Sequence, residues 1–232
     1  SVFKNPEIYV KIIKALGTKK TGLTREELIK LTGLANSGDF TSRLEELESC
    51  CFIRKYYAFG MKKKNAIYQL IDCFTLFYFN FLQNEPTDEH FWMNQINTPA
   101  LNTWMGLAFE RVCMEHVAQI KNKLGIAGVL TEVNSWYCKS DPDKGVFGSQ
   151  IDMLITRKDQ VINLCEMKYS GAEYTITEKF DRALRNKISD LRMVTGTKYA
   201  IHPTLVTTYG MVENSYSQEI QAVVTLDDLF EK

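Results

Sequence analysis

The stretch Gln150-Ile151-Asp152-Met153-Leu154-Ile155-Thr156-Arg157-Lys158-Asp159-Gln160-Val161-Ile162-Asn163-Leu164-Cys165-Glu166-Met167-Lys168 decides how the chain is read. Two apolar runs rich in isoleucine, leucine and valine flank a polar break, the pattern of two strands joined as a hairpin. Charges set into such strands are costly, because taking an ionised side chain out of water costs several kcal/mol even after relaxation. Asp152, Glu166 and Lys168 therefore need partners. Side chains alternate faces along a strand, so Glu166 and Lys168 project together while Cys165 and Met167 project from the other side. If Lys158-Asp159-Gln160 forms a three-residue loop, Asp152 falls directly across from Glu166 on that same face. A two-residue loop would misalign them unless a bulge intervened.

Two carboxylates side by side repel, which raises one pKa unless a metal compensates them. Their hard oxygen ligands suit Mg²⁺ or Mn²⁺. Such a metal activates a bound water and clamps phosphate oxygens, while a lysine beside it offsets charge building on the attacked phosphate. Metal-assisted phosphodiester hydrolysis is the implied chemistry. The spacing alone is common: an Asp upstream of Glu-x-Lys occurs by chance in roughly half of chains this size. The plain alternative is a salt-bridged cluster on a solvated sheet face, with Lys168 pairing Asp152 or Glu166.

Composition bounds the rest. The 232 residues are 45% hydrophobic and 12% aromatic, which suits one large folded domain or two modest ones. Lys plus Arg and Asp plus Glu are both 28, so any attraction to nucleic acid must come from local patches. The six cysteines show no Cys-x-x-Cys spacing, and most stand in apolar runs like small buried hydrophobes, which implies a reducing, cytoplasmic setting. His90, His116 and His202 are far apart in sequence, which argues against zinc. No segment reads as a signal peptide, and Cys73 to Leu82 is too short to span a bilayer, so no membrane partner is expected. The chain opens on Ser1 rather than Met, so a longer parent protein is expected.

Upstream, Asn5-Pro6 reads as a side-chain cap and first-turn proline for a helix carrying Ile8, Ile12, Ile13 and Leu16. Thr24-Arg25-Glu26-Glu27 is a capping box for a second helix that stops at Gly33. Asn36 or Ser37 caps a third through Phe40, Leu44 and Leu47, and a hairpin follows over 52–57 and 67–70 with its turn near Gly60. Three helices and a hairpin make a winged helix-turn-helix. In DNA-binding examples the third helix enters the major groove and the hairpin meets phosphate, so Lys62, Lys63 and Lys64 at the wing tip are candidate DNA contacts. Asp39, Glu45, Glu46 and Glu48 make the third helix acidic, which favours docking of a protein partner instead. An aromatic helical extension follows, in which Phe74, Phe77, Tyr78 and Phe81 recur at core-packing spacing.

The polar, proline-bearing segment after it separates the winged-helix domain, 1–84, from a second domain, 100–232, through a linker at 85–99. That second domain is expected to run as a long helix over 101–124 with an inward stripe including Leu101, Trp104 and Ala108. Strands follow at 129–137, 151–156 and 161–169, then a helix at 177–194 and strands at 199–207 and 221–225.

The order helix, three strands, helix, strand, with Asp152 on the second strand and Glu166-x-Lys168 on the third, resembles the PD-(D/E)xK restriction-endonuclease-like superfamily. The resemblance implies an α+β fold with a central mixed sheet flanked by helices. It also implies a fourth member from the first helix, and Gly106-Leu107-Ala108-Phe109-Glu110 looks like that element, so Glu110 joins Asp152 and Glu166 as a metal ligand and Lys168 as a catalytic residue. Ile151 replaces the signature proline. The second helix of that superfamily often adds a basic residue near the site, for which Lys179, Arg182, Arg185 and Lys187 are available.

Over nearly its whole length the chain is also similar to the C-terminal part of archaeal-type AAA+ ATPases, through the winged helix, Tyr68-Gln69-Leu70-Ile71-Asp72, Gly106-x-x-Phe109-Glu110 and Val224-Thr225-Leu226-Asp227-Asp228-Leu229-Phe230. That likeness implies an N-terminal ATPase domain in the parent protein. No Gly-x-x-x-x-Gly-Lys-Ser/Thr occurs here, so ATPase activity is not expected from this chain. Two main readings follow: a metal-dependent DNA nuclease positioned by the winged helix, or a non-catalytic module that keeps the nuclease fold to bind DNA or a protein. A transcription factor acting through the winged helix alone is a third.

Overall fold

The computed structural model describes residues 4–57, 59, 66–83 and 88–231. It divides into two compact units, Ser1–Trp104 and Met105–Lys232. Lys62, Lys63 and Lys64 lie outside the described residues.

The first unit opens with α1 (Pro6–Gly17), β1 (Leu23–Thr24), α2 (Arg25–Thr32) and α3 (Gly38–Ser49). Two starts follow their sequence signals. Thr24 accepts from Glu27 N while the Glu27 carboxylate accepts from Thr24 N at 2.7 Å, and Gly33 closes α2 in the left-handed conformation. Ser37 caps α3 through Phe40 N. Asn5 does not cap α1: it lies in the left-handed region at φ 56° and makes no side-chain cap bond, so Pro6 at the first turn starts that helix. β2 (Ile53–Tyr56) and β3 (Ile67–Leu70) pair antiparallel, and β1 adds to β3 to give a three-stranded sheet. The core is apolar, built on Ile12, Leu16, Leu28, Leu44, Leu47, Ile53 and Leu70, each worth roughly 1.5–3 kcal/mol on burial.

A short α4 (Cys73–Phe77) then widens into a π-helical turn over Tyr78–Leu82. Of the aromatic residues expected to pack inward, Phe77 and Phe81 do so, against Trp92 and Trp104. Phe74 and Tyr78 are instead 69% and 43% exposed. One turn followed by a π-turn changes which positions face inward, and Leu76 and Phe79 pack against the first core while Phe74 and Tyr78 turn outward. α5 (Phe91–Gln95) completes this region.

The expected long helix is two: α6 (Pro99–Glu115) and α7 (Val117–Lys123). The break falls at His116, whose Nδ1 lies 2.8 Å from the Val112 carbonyl that the helix would otherwise use alone. Side chains that bond their own helix backbone compete with its ladder. Of the expected stripe, Ile120 is fully buried and Val112 and Leu124 pack against the same core, while Phe109 and Cys113 take the buried places and Ala108 is only half-buried.

The rest of the second unit is β4 (Thr131–Tyr137), β5 (Gln150–Arg157), β6 (Val161–Lys168), β7 (Tyr174–Thr175), α8 (Glu178–Thr195), β8 (Ala200–Thr207), β9 (Met211–Val212) and β10 (Ala222–Thr225). The main sheet is mixed, in the order β10-β8-β6-β5-β4, with β6 central. β10, β8 and β6 run parallel, and β5 and β4 antiparallel. Parallel strands need a long crossover, which α8 supplies between β6 and β8. The cysteines depart from expectation: Cys113 and Cys165 are buried, whereas Cys50 and Cys51, at the turn that closes α3, are exposed. Among the described residues no helix is long and apolar enough to cross a membrane.

Candidate functional site

β5 and β6 pair with Met153 opposite Cys165, Leu154 opposite Leu164 and Ile155 opposite Asn163. Lys158-Asp159-Gln160 is the connecting loop, with Gln160 left-handed at φ 66°, the geometry of a three-residue hairpin. Continuing the register one step sets Asp152 opposite Glu166. The odd loop length thus places both carboxylates on one face, with Lys168 beyond Glu166 on the same side.

Alternation decides which layer covers them. Met153, Cys165 and Met167 pack with Phe109 and Cys113 of α6. Glu166 turns the other way, under α8, and is 3% exposed. There Lys187 Nζ reaches Glu166 Oε1 at 2.6 Å, and Lys168 Nζ stands 3.7 Å from Oε2. A buried carboxylate is tolerated when both oxygens meet cations. Asp152 is half-buried and accepts from Gln150 Nε2 at 3.3 Å.

Beyond these four side chains, Lys168 Nζ lies 5.7 Å from the centroid of the Phe180 ring, which packs edge-on against Tyr174. Burial, and then the charge of Glu166, raise the Tyr174 phenol. The same two causes, in the same order, push the neighbouring Cys165 thiol up to about 12. Thr207, opposite Lys168 in the parallel β6/β8 register, is fully buried, and its Oγ1 has no hydrogen-bond partner among the described residues.

Glu110 sits on α6, the helix against the opposite face of the sheet. It does not join the other two acids as a ligand cluster, since no group of three or more His, Cys, Asp or Glu side chains among the described residues is arranged to hold a metal. The donor set that remains still fits a hard divalent cation. Mg²⁺ is commonly held by one or two carboxylates plus water and substrate phosphate, and Asp152, Glu166 and the orphaned Thr207 hydroxyl are all oxygen donors at this end of the sheet.

Of the four basic residues offered by the second helix, Lys187 is the one that reaches the acids. Arg182 pairs with Glu178, and Arg185 with Asp181 and Glu219. The signal for Lys187 was in the sequence: Leu184 and Leu191 are the buried apolar positions of α8, and Lys187 stands between them on their face. Thr207 carries no comparable mark.

By its elements the chain is an α+β protein with a mixed central sheet flanked by helices. A family described as archaea bacterial proteins of unknown function (DUF234) has a model that matches residues 74–180. The matched span holds Glu110, Asp152, Glu166 and Lys168 and ends before Lys187. Neither the curated proteins nor the solved structures give a match.

Proposed function

We propose that the chain is a metal-dependent DNA nuclease module, in which a winged-helix unit precedes a PD-(D/E)xK-like unit, and that it is part of a larger AAA+ ATPase. The observation that carries this reading is the hairpin register, which opposes Asp152 to Glu166 with Lys168 on the same face. Asp152 and Glu166 would hold Mg²⁺ or Mn²⁺. A divalent cation there supplies Lewis acidity toward phosphate and lowers the pKa of its water.

Charge count supports the assignment. Two carboxylates and two lysines are mutually neutral, so a divalent cation leaves a net positive site beneath a half-open face, suited to an anionic phosphodiester. Lys168, only loosely paired at 3.7 Å, is placed to offset charge on the attacked phosphate, while Lys187 holds the Glu166 carboxylate in one orientation. The test is cleavage of duplex, nicked and single-stranded DNA with Mg²⁺ or Mn²⁺. Asp152→Ala should reduce cleavage on the order of 10²-fold or more; activity unchanged in that variant would sink the assignment.

A second reading has its own support. Glu166 is already neutralised by two lysines, no third acid joins the cluster, and exposed Asp39, Glu45 and Glu46 make the outer side of α3 acidic. Under that reading the chain binds DNA or a protein without turnover. Failure to bind Mn²⁺, together with retained DNA or protein affinity, would favour it.

A further inference from the structure

The segment between β4 and β5 is built more rigidly than a surface connection requires. Cys138 and Ser149 exchange backbone hydrogen bonds at its base, at 2.9 and 3.2 Å, and Asp141 and Val146 exchange a second pair at 2.9 Å. Gly148, at φ 88°, passes so close to Ser140 that a Cβ would lie 2.8 Å from its backbone nitrogen. The segment is then tied to α8 by Asp190, which is fully buried. One Asp190 oxygen accepts from Phe147 N at 2.9 Å, and the other from the Ser149 hydroxyl at 2.5 Å, with the Cys138 thiol at 3.8 Å. A buried carboxylate is an expensive anchor. What it holds in place is an exposed phenyl ring: Phe147 is 61% exposed, although its own amide is clamped.

The position of that ring is informative. Asp190 follows Lys187 by three residues, which places both on one side of α8 about one turn apart. Lys187 touches Glu166, so the anchored segment borders the carboxylate pair. At its root, Tyr137 pairs with Gln150, the residue that donates to Asp152. Tyr137 therefore shares the face of Asp152 and Glu166, and it is 51% exposed on the edge strand. Two exposed aromatic residues, one on the anchored segment and one at its root, thus belong to the end of the sheet that carries the two lysines and the two carboxylates.

We propose that Phe147 and Tyr137 form a stacking platform for unpaired nucleobases, so that the strand presented to Asp152 and Glu166 is single-stranded DNA. The place of the phosphate rests on the nuclease reading. The stacking itself does not. A duplex hides its base faces, whereas an unpaired strand offers a π-face at every nucleotide, and the pairing of Lys168 and Lys187 with Glu166 keeps the adjoining charge near neutral, so stacking carries the preference. Fixing the backbone beneath the ring beforehand removes part of the ordering cost of binding.

The experiment is fluorescence anisotropy on the whole chain in EDTA, with a labelled oligothymidylate, the same strand carrying abasic sugars, and a blunt duplex of equal length. The wild type should bind the oligothymidylate more tightly than the duplex. Phe147→Ala should weaken oligothymidylate binding about tenfold or more and leave duplex binding unchanged, and Phe147→Trp should restore it. Abasic strand should bind the wild type at least as weakly as normal strand binds Phe147→Ala, because it loses stacking on Tyr137 as well. Equal oligothymidylate affinity of wild type and Phe147→Ala, or wild-type preference for the duplex, would overturn the proposal. Phe147-dependent binding without cleavage in any divalent cation would remove the nuclease reading alone. Cleavage that needs Asp152 but ignores Phe147→Ala would remove the stacking platform alone.

Discussion

The two units bury different things. Among the described residues, the first unit buries one polar side chain, Thr32, and no charge; the second buries Arg111, Glu166, Asp190 and Asp228, with a set of threonines beside them. Both have apolar cores, so fold formation alone does not demand the charges. The difference separates a region whose residues serve packing from one in which costly groups are kept at fixed places, beside one end of a sheet.

The contrast is open to attack by mutation, and the largest effect is expected at Asp190. Asp190→Ala removes the shared acceptor of the Phe147 amide and the Ser149 hydroxyl, two part-buried hydrogen bonds to a charged group worth about 1.5–3 kcal/mol each. Urea unfolding should therefore show a loss of roughly 3 kcal/mol, comparable to the roughly 2–5 kcal/mol expected for the equally buried Leu47→Ala in the first unit. A loss below about 1 kcal/mol at Asp190 would mean that the anchor is solvated and the contrast overstated.

Lys187 comes next. Lys187→Met leaves Glu166 with the more distant Lys168 alone, and because Lys187 keeps 21% of its side-chain exposure the loss should be about 1–3 kcal/mol, below the range for fully buried pairs. The double variant Glu166→Leu with Lys187→Met should be neutral or more stable than wild type, since buried ion pairs often contribute less than apolar replacements. A double variant as damaged as the single one would assign the pair to stability rather than to function.

The first unit should respond through its backbone caps. Thr24→Ala removes the hydroxyl that accepts from Glu27 N and leaves the backbone half of the capping box in place, and thermal or denaturant unfolding should report about 1 kcal/mol. Smallest is a pH effect in the second unit. Burial opposes ionisation of Asp228, but Lys123 at 2.7 Å and the Thr225 amide and hydroxyl outweigh it and hold its pKa below the usual 3.8. A depressed folded pKa stabilises above the unfolded value and is lost as pH falls through the folded one. Wild type should therefore lose stability below pH 3.8 more steeply than Asp228→Asn, by under about 1 kcal/mol given the half-exposed Lys123.

The sequence revealed local features better than it revealed which face each side chain takes. The Thr24 box, the Ser37 cap and the Lys158-Asp159-Gln160 loop depend on a few adjacent residues, and the five strands of the main sheet fall within a residue or two of expectation, whereas the two-residue strands β7 and β9 were not foreseen. Asn5 misled because asparagine serves equally as a cap and as a left-handed residue. The break at His116 has no glycine or proline to announce it, and a π-turn reassigned the aromatic residues after Cys73. At the candidate site, Asp152, Glu166 and Lys168 follow from strand alternation, whereas Glu110 was assigned by analogy and sits against the other face of the sheet. Lys187 was one of four basic candidates on α8, and its place between Leu184 and Leu191 is the signal that distinguishes it. Asp190 was not, because its partners are more than forty residues away.

The central claim is that Asp152 and Glu166 form one divalent-cation site. Isothermal titration of Mn²⁺ into the chain tests it without relying on turnover. The expected result is a saturable isotherm for wild type that disappears in both Asp152→Asn and Glu166→Gln while both variants keep the wild-type fold by circular dichroism. The same isotherm in wild type and either variant, or none in wild type, would contradict it.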